Sequence, residues 1–295
     1  MTANDFKDIV NYEFNQKIVP LFFKSPQIMS IDKTIDAIIQ RRASIARYGD
    51  GEFDIIFGRT EGYQKRDLNL SVRLKSILKK NHESPQFLVA LPDCFEDLSH
   101  FIPDAQAHWQ LRLNKERWKW YRLLNRRFPY YHAQISRFYH DWADKRQSPN
   151  WAQKLKQIWA DRSIVIVEGE KTRMGVGNDL FNTAASIRRI LCPSENAFEF
   201  YDSILDAICR LANQDDLILM ALGPTATVLA YDLFHCGYQA VDIGHIDLEY
   251  EWMQRGAMEK IIIPGRYVNE VEGGNVVSDE NVDEEYYRQT IYIVK

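Results

Sequence analysis

The chain has 295 residues, 45% of them hydrophobic and 26% charged, with a formal net charge of -4. Such a composition belongs to a folded globular protein long enough to bury a sizeable core, and it excludes a disordered chain. The acidic balance excludes nucleic acid as a bulk partner, and no apolar run reaches the length of a membrane span.

In chain order, residues 1–29 read as a helical extension and 30–295 as the core of one domain. Ser30 is a candidate cap for a helix over 30–42, with Ile31, Ile35, Ile38 and Ile39 on one face. Ala43 to Tyr48 reads as a buried strand, 70–80 as a helix, and Gln86 to Leu91 as a strand stopped by Pro92. Residues 108–160 are dense in aromatic and basic side chains and read as a mostly helical insertion. The strand Ser163 to Val167 follows, then helices over about 178–190 and 199–213. Asp216 to Leu222 is a further strand, with a helix to about 235 and a short strand from Gln239 to Ile243. The tail after Pro264 is acidic and loop-like until Gln289 to Val294, which has the pattern of an edge strand. Strands alternating with helices predict an α/β, Rossmann-like fold with a mostly parallel sheet flanked by helices.

The cysteines Cys94, Cys192, Cys209 and Cys236 form no C-x-x-C pair and read as reduced thiols. The first residues lack a basic segment followed by an apolar run, so a cytoplasmic protein is expected.

In open α/β sheets ligands gather at the carboxyl ends of strands, and here the loops after the predicted strands carry distinctive residues. The first is Arg47-Tyr-Gly49-Asp50-Gly51-Glu52. In an extended backbone Asp50 and Glu52 project to one side and could aim two carboxylates at one cation. Gly49 would let the backbone approach a ligand closely, and Arg47 suits a phosphate. A tight turn with solvated acids is the plain alternative.

The second loop, Glu168-Gly-Glu-Lys171-Thr-Arg173-Met-Gly-Val-Gly177, could bind an anion through Lys171, Arg173 and backbone N–H groups. It matches neither the Walker nor the dinucleotide pattern. In the third, Gly223-Pro224-Thr225, a glycine and a hydroxyl at a helix start offer phosphate donors, and simple helix capping would also use them. The fourth, Gly244-His245-Ile-Asp247-Leu-Glu249, offers a further metal ligand in His245 and a general base in Asp247 or Glu249. In the segment Trp109 to Arg146, Trp109, Leu113, Trp120 and Leu124 share one helical face. A core face with a solvated basic side explains that pattern, and acceptor binding or contact with an anionic membrane is the functional alternative.

Taken together, R-Y-G-D-G-E, V-E-G-E-K-T-R-x-G-V-G-N-D-L-F, A-L-G-P-T-A and D-I-G-H-I-D-L-E-Y-E-W resemble the GT-D-type bacterial glycosyltransferases. That family was once a domain of unknown function and is associated with glycosylation of serine-rich-repeat adhesins and related surface glycans. The resemblance runs from about residue 30 to the C-terminus. It implies a Rossmann-like GT-D fold, a UDP-sugar donor, typically UDP-glucose, and a divalent metal, manganese first, held by a D-x-E motif that falls on Asp50 and Glu52. It implies a glycan, glycoprotein or lipid-linked acceptor; peripheral membrane contact and a homo-oligomer are further partner readings that do not rest on the resemblance. Arg47, Gly49, Lys171, Arg173, Gly223 and Thr225 would then bind the nucleotide sugar, and Asp247 would be the first candidate base. A non-catalytic nucleotide-binding subunit, or another nucleotide-sugar enzyme, is the alternative.

Overall fold

The structure, a computed structural model, describes residues 3–277 and 284–295. Its strands are β1 (Ser44–Arg47), β2 (Phe87–Leu91), β3 (Tyr131–His132), β4 (Ser163–Gly169), β5 (Ser186–Cys192), β6 (Leu217–Ala221), β7 (Gln239–Asp242) and β8 (Thr290–Ile293). The helices before the long aromatic segment are α1 (Ala3–Glu13), α2 (Val19–Phe22), α3 (Ile31–Gln40), α4 (Asp50–Ile56) and α5 (Leu68–Ile77). Those that follow are α6 (Pro103–Leu123), α7 (Ser148–Lys156), α8 (Tyr201–Leu211), α9 (Pro224–His235), α10 (Ile246–Gln254) and α11 (Glu284–Gln289).

Among the described residues the eight strands lie in one sheet, in the order β3-β2-β1-β7-β6-β4-β5-β8, and each of these pairings is parallel. Parallel sheets are covered on both faces, which is why the inner strands are almost continuously apolar. Ala46, Val89, Val165 and Ile218 face one layer, where Phe53, Trp120, Ile204 and Leu229 come from α4, α6, α8 and α9. Their neighbours Ile45, Leu88, Ile164 and Leu219 face the other, where Ile35, Leu155 and Trp252 come from α3, α7 and α10. Among the described residues, no helix is long and apolar enough to cross a membrane.

Several local expectations hold. Ser30 caps α3 by accepting the Lys33 N–H at 3.3 Å. The N-terminal extension is helical, with a π-type turn at Phe14–Ile18 between α1 and α2. Buried Asn15 fastens that turn to α6 by accepting the Trp118 N–H at 2.7 Å. Trp109, Leu113, Trp120 and Leu124 all point into the core, and Trp120 stacks on Phe53 with ring centroids 3.7 Å apart. Lys115, Lys119 and Arg122 are exposed, so this stretch is a core face with a solvated basic side.

Three expectations are corrected. Residues 178–190 do not form a helix: turns lead to β5, which pairs with β4 along its full length. Two arginines conceal this strand in the sequence. Arg188 pairs with Asp216, and Arg189, almost wholly buried, donates to Glu168 at 2.5 Å. The segment 108–160 is likewise not an insertion throughout, because Tyr131–His132 extends the sheet beside Ala90 and Leu91. The third concerns Asp50 and Glu52, which lie in α4 and not in extended backbone. In the C-terminal tail β8 is the expected edge strand, pairing with β5, while 278–283 lie outside the described residues.

Candidate active site

The carboxyl ends of β1, β4, β6 and β7 converge on a cavity of about 750 Å³. This is where a parallel sheet leaves a crevice, since the strand-to-helix loops turn to opposite sides there.

At the end of β1, Arg47 is held by three acceptors. Its Nε donates to the Asp242 carbonyl at 2.8 Å, its Nη2 to Asp242 Oδ1 at 2.8 Å, and its Nη1 to the Ala133 carbonyl at 3.1 Å. Gly244 lies directly against the guanidinium: a Cβ there would meet Arg47 Nη2 at 2.1 Å, and its φ of +42° also favours glycine. Arg47 therefore lines the cavity while it locks β1 to the end of β7.

Gly49 precedes α4 and donates its N–H to Glu52 Oε2 at 2.6 Å. Residues two apart on a helix are about 200° apart in azimuth, so Asp50 and Glu52 diverge. The Asp50 carboxylate faces the cavity rim, with its Oδ2 3.0 Å from His108 Nε2 and 3.8 Å from Arg112 Nη2. Burial opposes its charge, but the His108 hydrogen bond and the positive field of His108 and Arg112 hold its pKa at about 2. Glu52 points inward, and burial pushes its pKa up to about 7 despite the Gly49 N–H. Arg112 also donates to Asp54 Oδ1 at 2.8 Å, so the face of α6 that meets Asp50 is itself fixed.

On the opposite wall, His245 Nδ1 lies 3.2 Å from Arg137 Nη2, and its Nε2 lies 3.3 Å from Asn269 Oδ1. Burial and the Arg137 charge push its pKa down to about 4, which makes the imidazole neutral at physiological pH. Arg137 is paired with Glu270 at 2.6 Å. His245 lines the same cavity as Asp50 and Glu52, and among the described residues no three His, Cys, Asp or Glu side chains are already gathered as a metal site.

The two candidate bases are both held internally. Asp247 accepts from the Gly175 N–H and Asn178 Nδ2 at 2.8 Å each, and from Arg266 Nε at 2.6 Å. Glu249 is fully buried, and its Oε2 accepts the Tyr139 and His140 N–H groups at 2.8 Å each. Burial pushes its pKa to about 7. Asp247 touches the cavity, whereas Glu249 anchors the turn behind it.

Lys171 is exposed, and Arg173 is buried and donates to the Gly265 carbonyl at 3.4 Å; neither lines the cavity. Gly223, with a φ of +54°, lines it and precedes the twelve-residue α9. Thr225 is fully buried within the first turn of α9, below the lining.

Sequence reasoning passed over the segment Glu61-Gly-Tyr63-Gln64. Glu61 and Gln64 close a tight turn by exchanging backbone hydrogen bonds at 3.0 and 3.2 Å. Tyr63 at its tip covers both glycine turns. Its hydroxyl lies 2.7 Å from where a Gly51 Cβ would stand, and its ring 2.8 Å from where a Gly223 Cβ would stand. Asn196 docks this tip, donating its N–H to the Tyr63 carbonyl at 2.8 Å and accepting the Lys65 N–H at 2.8 Å. A glycine beside a tyrosine between two helices was the available signal. His108 and Arg112, four residues apart on α6, were another.

This donor set has one ionised carboxylate with an imidazole beside it, and Glu52 turned away. It fits a hard divalent ion that takes its remaining ligands from phosphate and water, and not an all-protein cage.

Comparison with known proteins agrees with this architecture. Residues 45–271 match the family model described as "Glycosyltransferase GT-D fold". The chain is 43% identical over 244 residues to the probable glycosyl transferase Gly of Streptococcus gordonii, covering 82% of this chain and 35% of that protein. It is 39% identical over 265 residues to glycosyltransferase GlyD of Streptococcus pneumoniae, covering 90% of this chain and 32% of that one. The chain thus spans about a third of the length of these curated relatives. It superimposes with a TM-score of 0.87 and 40% identity on a solved glycosyltransferase (DUF1792) from Streptococcus sanguinis, over 92% of this chain and all of that one. A second structure, described as the highly conserved domain of unknown function 1792 with a distinct glycosyltransferase fold, gives a TM-score of 0.87 at 34% identity, over 98% and 100% of the two chains. Sheet, cavity and relatives agree, and the chain belongs to the GT-D-fold glycosyltransferase family.

Proposed function

We propose that the protein is a cytoplasmic, metal-dependent glycosyltransferase that moves a hexose, glucose first, from a UDP-sugar to a glycan acceptor on a surface glycoprotein or lipid-linked precursor. The observation that carries this reading is the pairing of Asp50 with His108 across one cavity from the Gly223 turn that opens α9. The first-turn N–H groups of α9 and the guanidinium of Arg47 suit the diphosphate of the donor. Asp50, with His108 beside it, would hold manganese, which when bound supplies positive charge to the leaving diphosphate. Glu52 contributes by holding Gly49 and the start of α4 in place. His245, kept neutral, offers no second positive charge at the wall where Arg137 already stands.

Tyr63 lines the cavity against both glycine turns, where it would cover one side of the donor diphosphate. The test is calorimetric titration with UDP and UDP-glucose, with and without manganese. Binding that needs manganese and disappears in Asp50→Ala is the expected result. Equal binding in EDTA, or no binding of any uridine nucleotide, sinks the reading.

A further inference from the structure

Beyond the Asp50–His108 pair the cavity runs between the first turns of α6 and the carboxyl ends of β2 and β3. Pro92, Ile102, Ala105 and Trp109 give this end an apolar lining, and Gln134 and Asp141 give it a polar one. The Ile102 N–H donates to the Asp141 carbonyl at 2.9 Å, which ties the start of α6 to the segment after β3.

Gln134 is only 3% exposed, and three bonds hold it in place. Its Oε1 accepts the Asp93 N–H at 3.1 Å, and its own N–H donates to His132 Nδ1 at 3.2 Å. The carbonyl of the preceding Ala133 accepts from Arg47 Nη1 at 3.1 Å. Burial pushes the His132 pKa down to about 3, so that ring stays neutral and Nδ1 remains an acceptor. A backbone N–H can be met only by an acceptor, so the Asp93 bond fixes which end of the Gln134 amide is oxygen. The other end is thereby fixed as Nε2. Its two N–H groups donate to none of the described residues, and Nε2 keeps contact with solvent. The solvent beside Gln134 is that of the cavity it lines. A nearly buried amide, anchored at one end and unpartnered at the other, is a donor held ready for a ligand.

We propose that this end of the cavity receives the hexose of the donor, and that Gln134 Nε2 donates a hydrogen bond to one of its hydroxyls. The assignment rests on the reading of the protein as a UDP-sugar glycosyltransferase. In that reading Arg47 faces the diphosphate, and Arg47 bonds the residue next to Gln134. The amide therefore stands one residue from the phosphate wall, where the sugar attached to the diphosphate begins. A hexose has hydroxyls around its rim and C–H groups on its faces. Gln134 supplies a donor and Asp141 an acceptor for the rim, and the apolar lining suits a face. A site built to bond a hydroxyl discriminates against a sugar that lacks it, because the amide is then left unpaired.

The test is calorimetry with UDP, UDP-glucose and the four UDP-glucose analogues deoxygenated at C2, C3, C4 or C6, all with manganese. Gln134→Met keeps the side-chain length and removes the donor. It should bind UDP within about twofold of the wild type and UDP-glucose about tenfold more weakly, the scale of one hydrogen bond. On the wild type one deoxy analogue should bind about tenfold more weakly than UDP-glucose, and on Gln134→Met that analogue should lose nothing further. The wild-type titrations stand even where the variant is too unstable to titrate, and equal affinity for all four analogues would overturn the assignment. Equal weakening of UDP and UDP-glucose in Gln134→Met would overturn it in favour of a contact with the nucleotide. Unchanged donor binding with a raised KM for the acceptor would overturn it in favour of an acceptor contact. Absence of any uridine nucleotide binding to the wild type would instead sink the glycosyltransferase reading on which the assignment rests.

Discussion

Asp50 Oδ2 lies 3.0 Å from His108 Nε2, which joins the first residue of α4 to the outer face of the long helix α6. The contact joins residues 58 positions apart in the chain, where α6 packs across α4. It makes Asp50 a permanently ionised carboxylate with a nitrogen donor at its side. A group with a pKa of about 2 cannot serve as a general base, so its chemistry is that of a fixed charge or a ligand.

Asp50→Asn should lower manganese-dependent turnover by roughly 100-fold, the scale of lost metal-borne charge stabilisation. His108→Ala should cost about tenfold, as removal of a supporting group does. Initial rates across a manganese titration check both, and a His108→Ala enzyme with an unchanged manganese dependence would separate His108 from the metal.

Asp247→Ala should destabilise the fold by about 3–5 kcal/mol, because it leaves the buried Arg266 guanidinium without its carboxylate. The loss belongs to stability, so chemical denaturation is the measurement. A variant of native stability with abolished transfer would return Asp247 to the role of base.

Glu249 provides a pH test. Its pKa rises from an ordinary 4.5 to about 7 on folding, so the native state binds its proton more tightly than the unfolded chain does. Its stabilising contribution is complete below about pH 4.5 and is lost as pH rises through about 7. Glu249→Gln, which cannot ionise, should therefore lose less stability than the wild type between pH 5 and pH 8. Thermal melts across that range decide it, with parallel profiles counting against a buried, protonated carboxyl.

Gly223→Ala should weaken UDP binding at least tenfold. Its backbone, at φ +54° and ψ -141°, suits glycine alone and costs other residues about 1–3 kcal/mol. The new methyl would also strike the Tyr63 ring. Combining it with Tyr63→Ala should relieve the steric part and leave the strain, so the double variant should bind better than the sum of the two single losses. Strict additivity in calorimetry would show that Tyr63 and Gly223 act independently.

Much of this protein was determined by local sequence pattern. Continuous apolar runs such as Ser163–Val167 and Asp216–Leu222 could only be buried strands, and Ser30 and Ile31 to Ile39 could only open and fill an amphipathic helix. These signals are legible because they depend on neighbours within a turn or two. Four ordered motifs together identified the family. The strand β5 escaped because Arg188 and Arg189 break its apolar pattern, and their partners Asp216 and Glu168 are distant in sequence.

The site shows the same division. Sequence placed Arg47, Asp50 and Gly223 near strand ends, and the parallel sheet gathers all three around one cavity. Tertiary structure alone decided which way each side chain works. Gly49 caps a helix, so Glu52 turns inward to its N–H while Asp50 meets His108 across α4 and α6. Asp247 and Glu249 look like free acids in the sequence, yet their donors come from the Gly175–Asn178 loop, Arg266 and the Tyr139–His140 turn. A carboxylate's chemistry depends on its burial and on the donors around it, and those are supplied by segments that only folding brings together.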